Sequence, residues 1–547
     1  MIAIILLVVF FAVMIGIGIW GMRKTSSLSD FFLGGRSIGP WVSAMAYGTS
    51  YFSAVLFIGF AGKFGWGLGM DVLWIVLGNT FFGALAAWLV LGRRTRRMTQ
   101  NLDVMTMPEY LQERYGARSF KMISALIIFV FLLPYCASVF KGLGHLFEIN
   151  FGISYDLALL IMIGITGVYM ILGGYFAITL TDFIQGIIMI IGSIAMVAVM
   201  VGEAGGVSKA IAAVQSEYSA HVPSGAQPGW LMIFSLVFMT SFGTWGLPQM
   251  VQKFYAIKNE AVITKAAIVT TIFSLIIVFA AYFNGALAHV FYEAPKKAAQ
   301  AVSQQAVTHK PSADASVIPN NPGPAQTEST APVVQKGEST PPAGHVPQTT
   351  RPAVPNKEGK IDFDRIVPDM LSTHLPELLM AIILLLVLSA SMSTLSSLVL
   401  VSASAVAIDM YKGHINPSIS KENSVAMMRF LSGLFIIIAF FIARYELSVI
   451  VTLMSLSWGA VAGTFMAPFL YGLYWKGATR TGVAAGMATG LGLSVSLFFI
   501  LGPANSPIAS TIAMIAPFLV IPLVSRFTRK PEQALLARAF EGIGSKR

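Results

Sequence analysis

Tyr47-Gly-Thr-Ser-Tyr-Phe-Ser-Ala-Val-Leu-Phe-Ile-Gly-Phe60 lies inside an apolar run, 40–62, long enough to cross a bilayer. Its middle carries Gly48, Thr49, Ser50, Tyr51 and Ser53. Hydroxyls at mid-membrane gain nothing by facing lipid, which offers them no hydrogen-bond partner. They suit a helix that breaks and turns its freed carbonyls and hydroxyls toward an internal cavity. Small residues also let two helices pack closely, and that reading competes with the first. The choice between them decides the fold, because a broken helix at mid-membrane is how secondary transporters build a central site.

The rest of the chain favours a membrane setting. Of its 547 residues 56% are hydrophobic and 11% charged, with a mean hydropathy of +0.74. A soluble domain carries about 25% charged residues. The chain is therefore expected to be an all-α polytopic membrane protein with no soluble domain of useful size. Thirteen apolar segments reach spanning length: 2–21, 40–62, 70–92, 120–145, 155–172, 178–202, 229–252, 265–292, 375–408, 425–443, 447–473, 482–502 and 507–525. The single cysteine, Cys136, excludes an intrachain disulfide, and the seven histidines show no metal-ligand spacing.

The net charge of +11 raises the question of nucleic acid. Its placement answers for membrane orientation instead. Alternate loops hold Arg23, Lys24 and Arg36, then Arg93, Arg94, Arg96, Arg97, Arg114, Arg118 and Lys121, then Lys253, Lys258 and Lys265, then Lys412 and Lys421, then Lys476 and Arg480. The short loops between them carry almost no basic residue, and the long loop 293–362, which carries seven, is a weak topology signal. This is the positive-inside pattern, and with thirteen spans it puts the N-terminus outside and the C-terminus in the cytoplasm of the plasma membrane. No basic residue precedes the first segment and no small-x-small cleavage pattern follows it, so it reads as a retained helix. Residues 293–362 hold 11 of the 26 prolines and no aromatic residue, the composition of a disordered extracytoplasmic loop. After it, Asp362-Phe-Asp-Arg-Ile-Val-Pro368 is expected to return as a short amphipathic helix over an outer vestibule, packed by Phe363 and Ile366.

Three further stretches bear on chemistry. Met239-Thr-Ser-Phe-Gly-Thr-Trp-Gly-Leu-Pro-Gln249 sets Gly243, Gly246 and Pro248 close together in mid-segment, so a second helix is expected to unwind there. Leu388-Ser-Ala-Ser-Met-Ser-Thr-Leu-Ser-Ser397 puts Ala390, Ser393, Thr394 and Ser397 on one helical face. That face offers the neutral oxygens a monovalent hard cation takes; close packing or back-bonding of the hydroxyls is the alternative. Asp182, in Gly173-Gly-Tyr-Phe-Ala-Ile-Thr-Leu-Thr-Asp-Phe-Ile-Gln185, is an intramembrane acid at the inner end of a span, read either as a sodium waystation or as a helix N-cap. Lys141, Arg444 and Glu446 sit near outer boundaries, where snorkelling accounts for them. Tyr135 and Cys136 follow Pro134 within a span and either line the cavity or pack the core.

These motifs, with Asp30-Phe-Phe-Leu-Gly-Gly-Arg-Ser37 and Thr106-Met-Pro-Glu-Tyr-Leu-Gln-Glu-Arg-Tyr115, resemble the sodium:solute symporter family over almost the whole chain outside 293–362. Within that family the chain is most similar to sodium/proline symporters, then to pantothenate permeases. The resemblance implies an inverted five-helix-repeat core of the leucine-transporter type with flanking helices, and sodium-coupled symport by alternating access. It implies a sodium site at Thr49 and Phe52, through their carbonyls, with Ala390, Ser393 and Thr394, and an inner sodium pathway at Asp182. The substrate wall it implies falls on Ser50, Tyr51, Ser53, Tyr135, Cys136, Thr240, Thr244, Trp245 and Pro248. The chain departs from proline symporters where Tyr51 stands for an aspartate and where Thr240 and Thr244 replace aromatic residues. Sodium binding is thus expected to be retained and the solute to differ.

The expected plan is a first helix and inner loop (1–39), a first repeat (40–202), an outer loop (203–228), a second, inverted repeat (229–473) interrupted by 293–362, two peripheral helices (474–525) and a basic tail (526–547). The expected function is sodium-coupled import of a small organic solute, an amino acid such as proline or another carboxylate. The alternatives are a proton-coupled transporter of the same fold and a pantothenate or monocarboxylate symporter. Na+ is the coupling ion, with no organic cofactor, no nucleic-acid partner and a monomeric or weakly oligomeric state in the lipid bilayer. An intramembrane enzyme is excluded by the lack of paired acidic or zinc motifs. Proton coupling is disfavoured because no acid is expected at the central site.

Overall fold

Apolar runs of this length can hide their backbone in lipid only as helices. A computed structural model of the chain, which describes residues 2–24, 28–222, 227–292 and 361–543, is built of helices joined by short turns among its described residues, with Ile38 and Ile257 paired in an isolated bridge. The expected loop falls outside the described residues except for Ile361 and Asp362.

By length and composition ten described helices can span a membrane, eleven with the bent pair Trp230–Trp245 and Pro248–Ala256. The thirteen expected segments differ from this count for physical reasons. Val55–Asn101 is a run of 47 residues. At 1.5 Å per residue it extends roughly 70 Å, more than twice the hydrocarbon thickness. Gly69, at φ +54, interrupts it between Ala61–Leu68 and Leu73–Gly78 with a short 3-10 turn. Tyr155–Glu203 is similarly interrupted at Gly174 (φ 61, ψ 177), and the part before it, Tyr155–Val168, is a shorter apolar helix. Both turns need a left-handed residue, which glycine supplies without steric cost.

Small residues set the closest helix contacts. A Cβ on Gly285 would lie 2.1 Å from the Ala61 carbonyl oxygen, and one on Gly65 would lie 2.2 Å from the Gly285 carbonyl carbon. Helices Ala61–Leu68 and Val262–Phe291 therefore meet backbone to backbone, an approach that only glycine allows.

The return segment forms helix Phe363–His374, started by the Asp362 carboxylate accepting from the Asp364 N–H at 3.1 Å. Ile366 is buried and Phe363 is half-buried, as the amphipathic reading requires. Lys141 does not snorkel. It is buried, with Nζ 2.8 Å from Asp364 Oδ2, and it also donates to the Ser448 carbonyl. The same Asp364 oxygen accepts from the Ile450 N–H at 3.1 Å. One carboxylate thus pins the short helix to two long ones. Arg444 pairs with Asp156 at 3.0 Å near the surface, and Glu446 lies 3.3 Å from His145 Nε2. An open cavity of about 650 Å³, lined by Lys63, Lys141, His145 and Arg365 among others, lies beside this helix.

The basic residues assigned to loops are not all solvated. Arg96 donates through Nε to the Ile257 carbonyl at 2.7 Å, and Arg114 donates to the carbonyls of Gly472 and Trp475 at 2.9 and 3.0 Å. Guanidinium groups here satisfy helix-terminal carbonyls that have no partner within their own helix.

Candidate ion and solute site

Helix Pro40–Tyr51 ends where the hydroxyl-rich stretch predicts. Phe52 is extended (φ −115, ψ 123), and the helix resumes as a wider π-helical turn over Val55–Phe60. The Leu56 N–H bonds to the Ser53 carbonyl, so the ladder restarts after the break. The second break also forms. Trp230–Trp245 and Pro248–Ala256 are bent by 42°, with Leu247 extended and Pro248 at the first turn of the second piece.

The first break faces helix Glu377–Ser404, all of whose residues from Ile383 onward except Leu385 are buried. Thr394 Oγ1 lies 3.4 Å from the Thr49 carbonyl oxygen, 3.3 Å from that of Ser50 and 3.1 Å from that of Ala390. A hydroxyl has one proton and can fully serve only one of these acceptors. Three carbonyls converging on one hydroxyl leave electronegative capacity unspent, which is what a small cation takes. Ser393 Oγ donates to Thr49 Oγ1 at 2.7 Å. Ser50, expected in the solute wall, instead meets Ser397 at 2.9 Å and Ser393 at 3.5 Å, on the side of the break that faces helix Glu377–Ser404. Phe52 stacks on Tyr51 with ring centroids 4.2 Å apart and lines the neighbouring cavity.

Asp182 is fully buried, and it is not an N-cap: it lies inside Gly174–Glu203, eight residues past the helix start. Its Oδ2 is 3.5 Å from Lys253 Nζ, and Ser393 lies beside it. Lys253, placed by its sequence context in an inner loop, is in fact buried within Pro248–Ala256. It also donates to Ser397 at 3.1 Å. The expectation that no acid lies near the central site is therefore corrected. An acid and a buried base stand at its edge, joined to it through Ser393 and Ser397. Lys253 could have been suspected from its place in the apolar segment 229–252, one residue past its drawn end.

On the other side of the break is a small cavity of about 20 Å³. That is room for about one water molecule. Tyr51, Ser53, Tyr135 and Thr240 line it as expected, joined by Asn79 and Trp458, which sequence reasoning passed over. Tyr51 donates to the Thr240 carbonyl at 2.6 Å, and Asn79 Oδ1 accepts from Thr240 at 2.7 Å and Ser241 at 3.1 Å. The signal for Asn79 was a lone amide in an apolar segment. For Trp458 it was an indole beside Ser457 and Gly459. Cys136 is buried, and it does not line the cavity. Thr244 donates to the Ser241 carbonyl, and Trp245 donates to the Phe82 carbonyl at 3.1 Å. Pro248 lines a different cavity.

The chain is similar to known transporters along nearly its whole length. The model of the sodium:solute symporter family matches residues 31–320 and 346–490. The osmoregulated proline transporter OpuE of Bacillus subtilis is 27% identical over 546 residues, covering 96% of this chain and 95% of OpuE. A sodium/proline symporter of Haemophilus influenzae is 28% identical over 537 residues, covering 96% and 94%. Among solved structures, a Na+-coupled sialic acid symporter in a substrate-bound outward-open state superposes with a TM-score of 0.73 at 15% identity, covering 97% of this chain and 99% of the other. Mhp1, a nucleobase-cation-symport-1 family transporter in a closed conformation, gives 0.50 at 14% identity, covering 93% and 97%. The fold is thus that of the leucine-transporter type, and with the family model matched over most of its length the chain is a member of the sodium:solute symporter family.

Proposed function

We propose that this sodium-coupled symporter binds Na+ between the carbonyls of Thr49, Phe52 and Ala390 and the hydroxyls of Ser393 and Thr394. The observation that carries this reading is the convergence of the Thr49, Ser50 and Ala390 carbonyls on Thr394 Oγ1 at the helix break, with Phe52 included on the family resemblance alone. The solute sits across the break, against Tyr51, Ser53, Tyr135 and Thr240, joined by Asn79 and Trp458. It is a small carboxylate, an amino acid of the proline kind or a monocarboxylate. The relatives named for proline support the first, and the exchange of an acid for Tyr51 supports the second. The cavity is too small for any such solute, so binding requires the two repeats, 40–202 and 229–473, to part. Thirteen crossings with the C-terminus in the cytoplasm complete the proposal. Sodium leaves past Asp182.

Asp182 beside Lys253 also favours a second reading, in which a proton is the coupling ion. Uptake into proteoliposomes decides between the two. Labelled proline, other amino acids and monocarboxylates are offered under an inward sodium gradient and, separately, under a proton gradient alone. Accumulation with sodium only is expected. Ser393→Ala combined with Thr394→Ala should raise the half-saturating sodium concentration by about tenfold or more, the scale on which metal sites respond to lost support. Unchanged sodium dependence in the double variant would sink the site assignment, and uptake driven by protons alone would sink the coupling ion.

A further inference from the structure

Helices Pro248–Ala256 and Glu377–Ile415 enclose a second small cavity of about 10 Å³ with the segment Met105–Pro108. Three oxygens of its lining residues, Asp409 Oδ2, Gln252 Oε1 and Tyr255 Oη, are buried and have no hydrogen-bond partner among the described residues. Buried oxygens are rarely left so, and three around one void call for an occupant. The Gln252 amide is oriented by the bond from its Nε2 to the Phe32 carbonyl at 2.8 Å, so Oε1 is the atom left over. Asp409 is held through its other oxygen by Thr106 Oγ1 at 2.7 Å.

The charge count favours a cation. Lys121 Nζ lies 3.0 Å from Glu109 and 3.7 Å from Asp409 Oδ1, so one base serves two acids. Arg36 faces Asp103, Tyr255 and Glu109 and donates to the Val104 carbonyl, so two bases, Lys121 and Arg36, stand against three acids, Asp103, Glu109 and Asp409. One negative charge is left uncompensated at the cavity, which matches a monovalent ion. Asp409 also sits in a π-helical stretch, Ala405–Ile415, a departure from regular helix that often marks functional positions. Ser393, Ser397, Val401, Ser404 and Ile408 recur at helical spacing, so the cavity lies further along the helix face that carries the first ion site.

We propose that Asp409, Gln252 and Tyr255 form a second site for a monovalent hard cation, a station for sodium between the first site and the cytoplasm. The proposal rests on sodium being the coupling ion, as argued above. A cavity of this size accepts one ion or one water. The first site and this one then exchange a single ion, or hold two at high concentration.

Equilibrium binding of radioactive sodium to the full-length protein in nanodiscs tests it. Wild type should show two components of different affinity. Asp409→Asn and Gln252→Leu should each weaken the lower-affinity component by about tenfold or more. Ser393→Ala with Thr394→Ala should weaken the other. Gln252→Leu spares the Thr106 and Lys121 contacts, so it separates ligation from a structural role of Asp409. A single component that neither Asp409→Asn nor Gln252→Leu alters would mean that the cavity holds a water only and would overturn the proposal while leaving the first site intact. An effect of Asp409→Asn alone would overturn it equally, as damage to the Thr106 anchor. No sodium bound by wild type at all would sink this site together with the coupling reading.

Discussion

Tyr51 and Ser50 are chain neighbours that point to opposite sides of the helix break. Ser50 joins the hydroxyls of Ser393 and Ser397, while Tyr51 crosses the cavity proposed for solute to the Thr240 carbonyl. The tyrosine is held by contact as well as by that bond: a Cβ on Gly83 would lie 2.1 Å from its hydroxyl oxygen. Gly83→Ala should therefore push Tyr51 into the solute cavity and raise the KM for solute several-fold, as an overpacking cost of about 1–3 kcal/mol implies. The half-saturating sodium concentration should stay as in wild type, since the ion side is untouched. Initial uptake rates across solute and sodium series measure both, and a parallel rise in the two would show that ion and solute share one wall. At this scale the sequence was partly legible. Thr49, Ser393 and Thr394 announced themselves, because hydroxyls clustered at mid-membrane have few other uses. Asn79 and Trp458 did not, since one amide or one indole in an apolar run looks like any buried residue until the opposite wall is known.

Both broken helices follow from local chemistry. Glycine and hydroxyl residues weaken the first, while proline removes a donor from the second. What local chemistry does not show is how a carboxylate a long way along the chain completes a contact. Lys141 looked like a boundary lysine because Asp364 arrives from beyond the proline-rich stretch. Their pairing, with Asp364 also receiving the Ile450 N–H, makes helix Phe363–His374 a cap pinned to the bundle rather than a trailing segment. Asp364→Ala should leave a buried ammonium uncompensated and destabilise the protein by about 3–5 kcal/mol. Thermal unfolding in detergent would register this as a clear fall in Tm, with Lys141→Met in the same chain recovering part of it. A Tm unchanged by Asp364→Ala would show that the cap is held by apolar packing alone.

For the whole molecule, composition and segment length were enough to reach a helical membrane bundle, and the order of the motifs was enough to reach its family. Counting was harder. A hydropathy profile sees two apolar runs, whereas the chain joins them through a left-handed glycine within a single 47-residue helical run, as at Gly69. The charge pattern was similarly coarse. Loop lysines and arginines read as one class from sequence, yet Arg96, Arg114, Lys121 and Lys253 are buried and serve carbonyls or acids inside the bundle. A buried base costs several kcal/mol unless paired, so Arg96, Arg114 and Lys253 needed partners from distant segments, and distance along the chain is what sequence patterning does not encode.

The buried pairing of Asp182 with Lys253 has an electrical consequence. One acid and one base cancel, so the empty carrier moves no net charge of theirs when it reorients. The membrane potential then acts on the loaded step, where the bound sodium feels about 2.3 kcal/mol per 100 mV. Lys253→Met would move one elementary charge of voltage sensitivity from the loaded step to the return. The first turnover of an uncharged or zwitterionic solute, which reports the loaded step, should then lose its acceleration by an inside-negative potassium diffusion potential, while the return step gains it. An acceleration equal to that of wild type would mean that the pair is no counterweight. On the proposed coupling, the pair would let the bilayer's voltage act on the loaded carrier and spare the empty one.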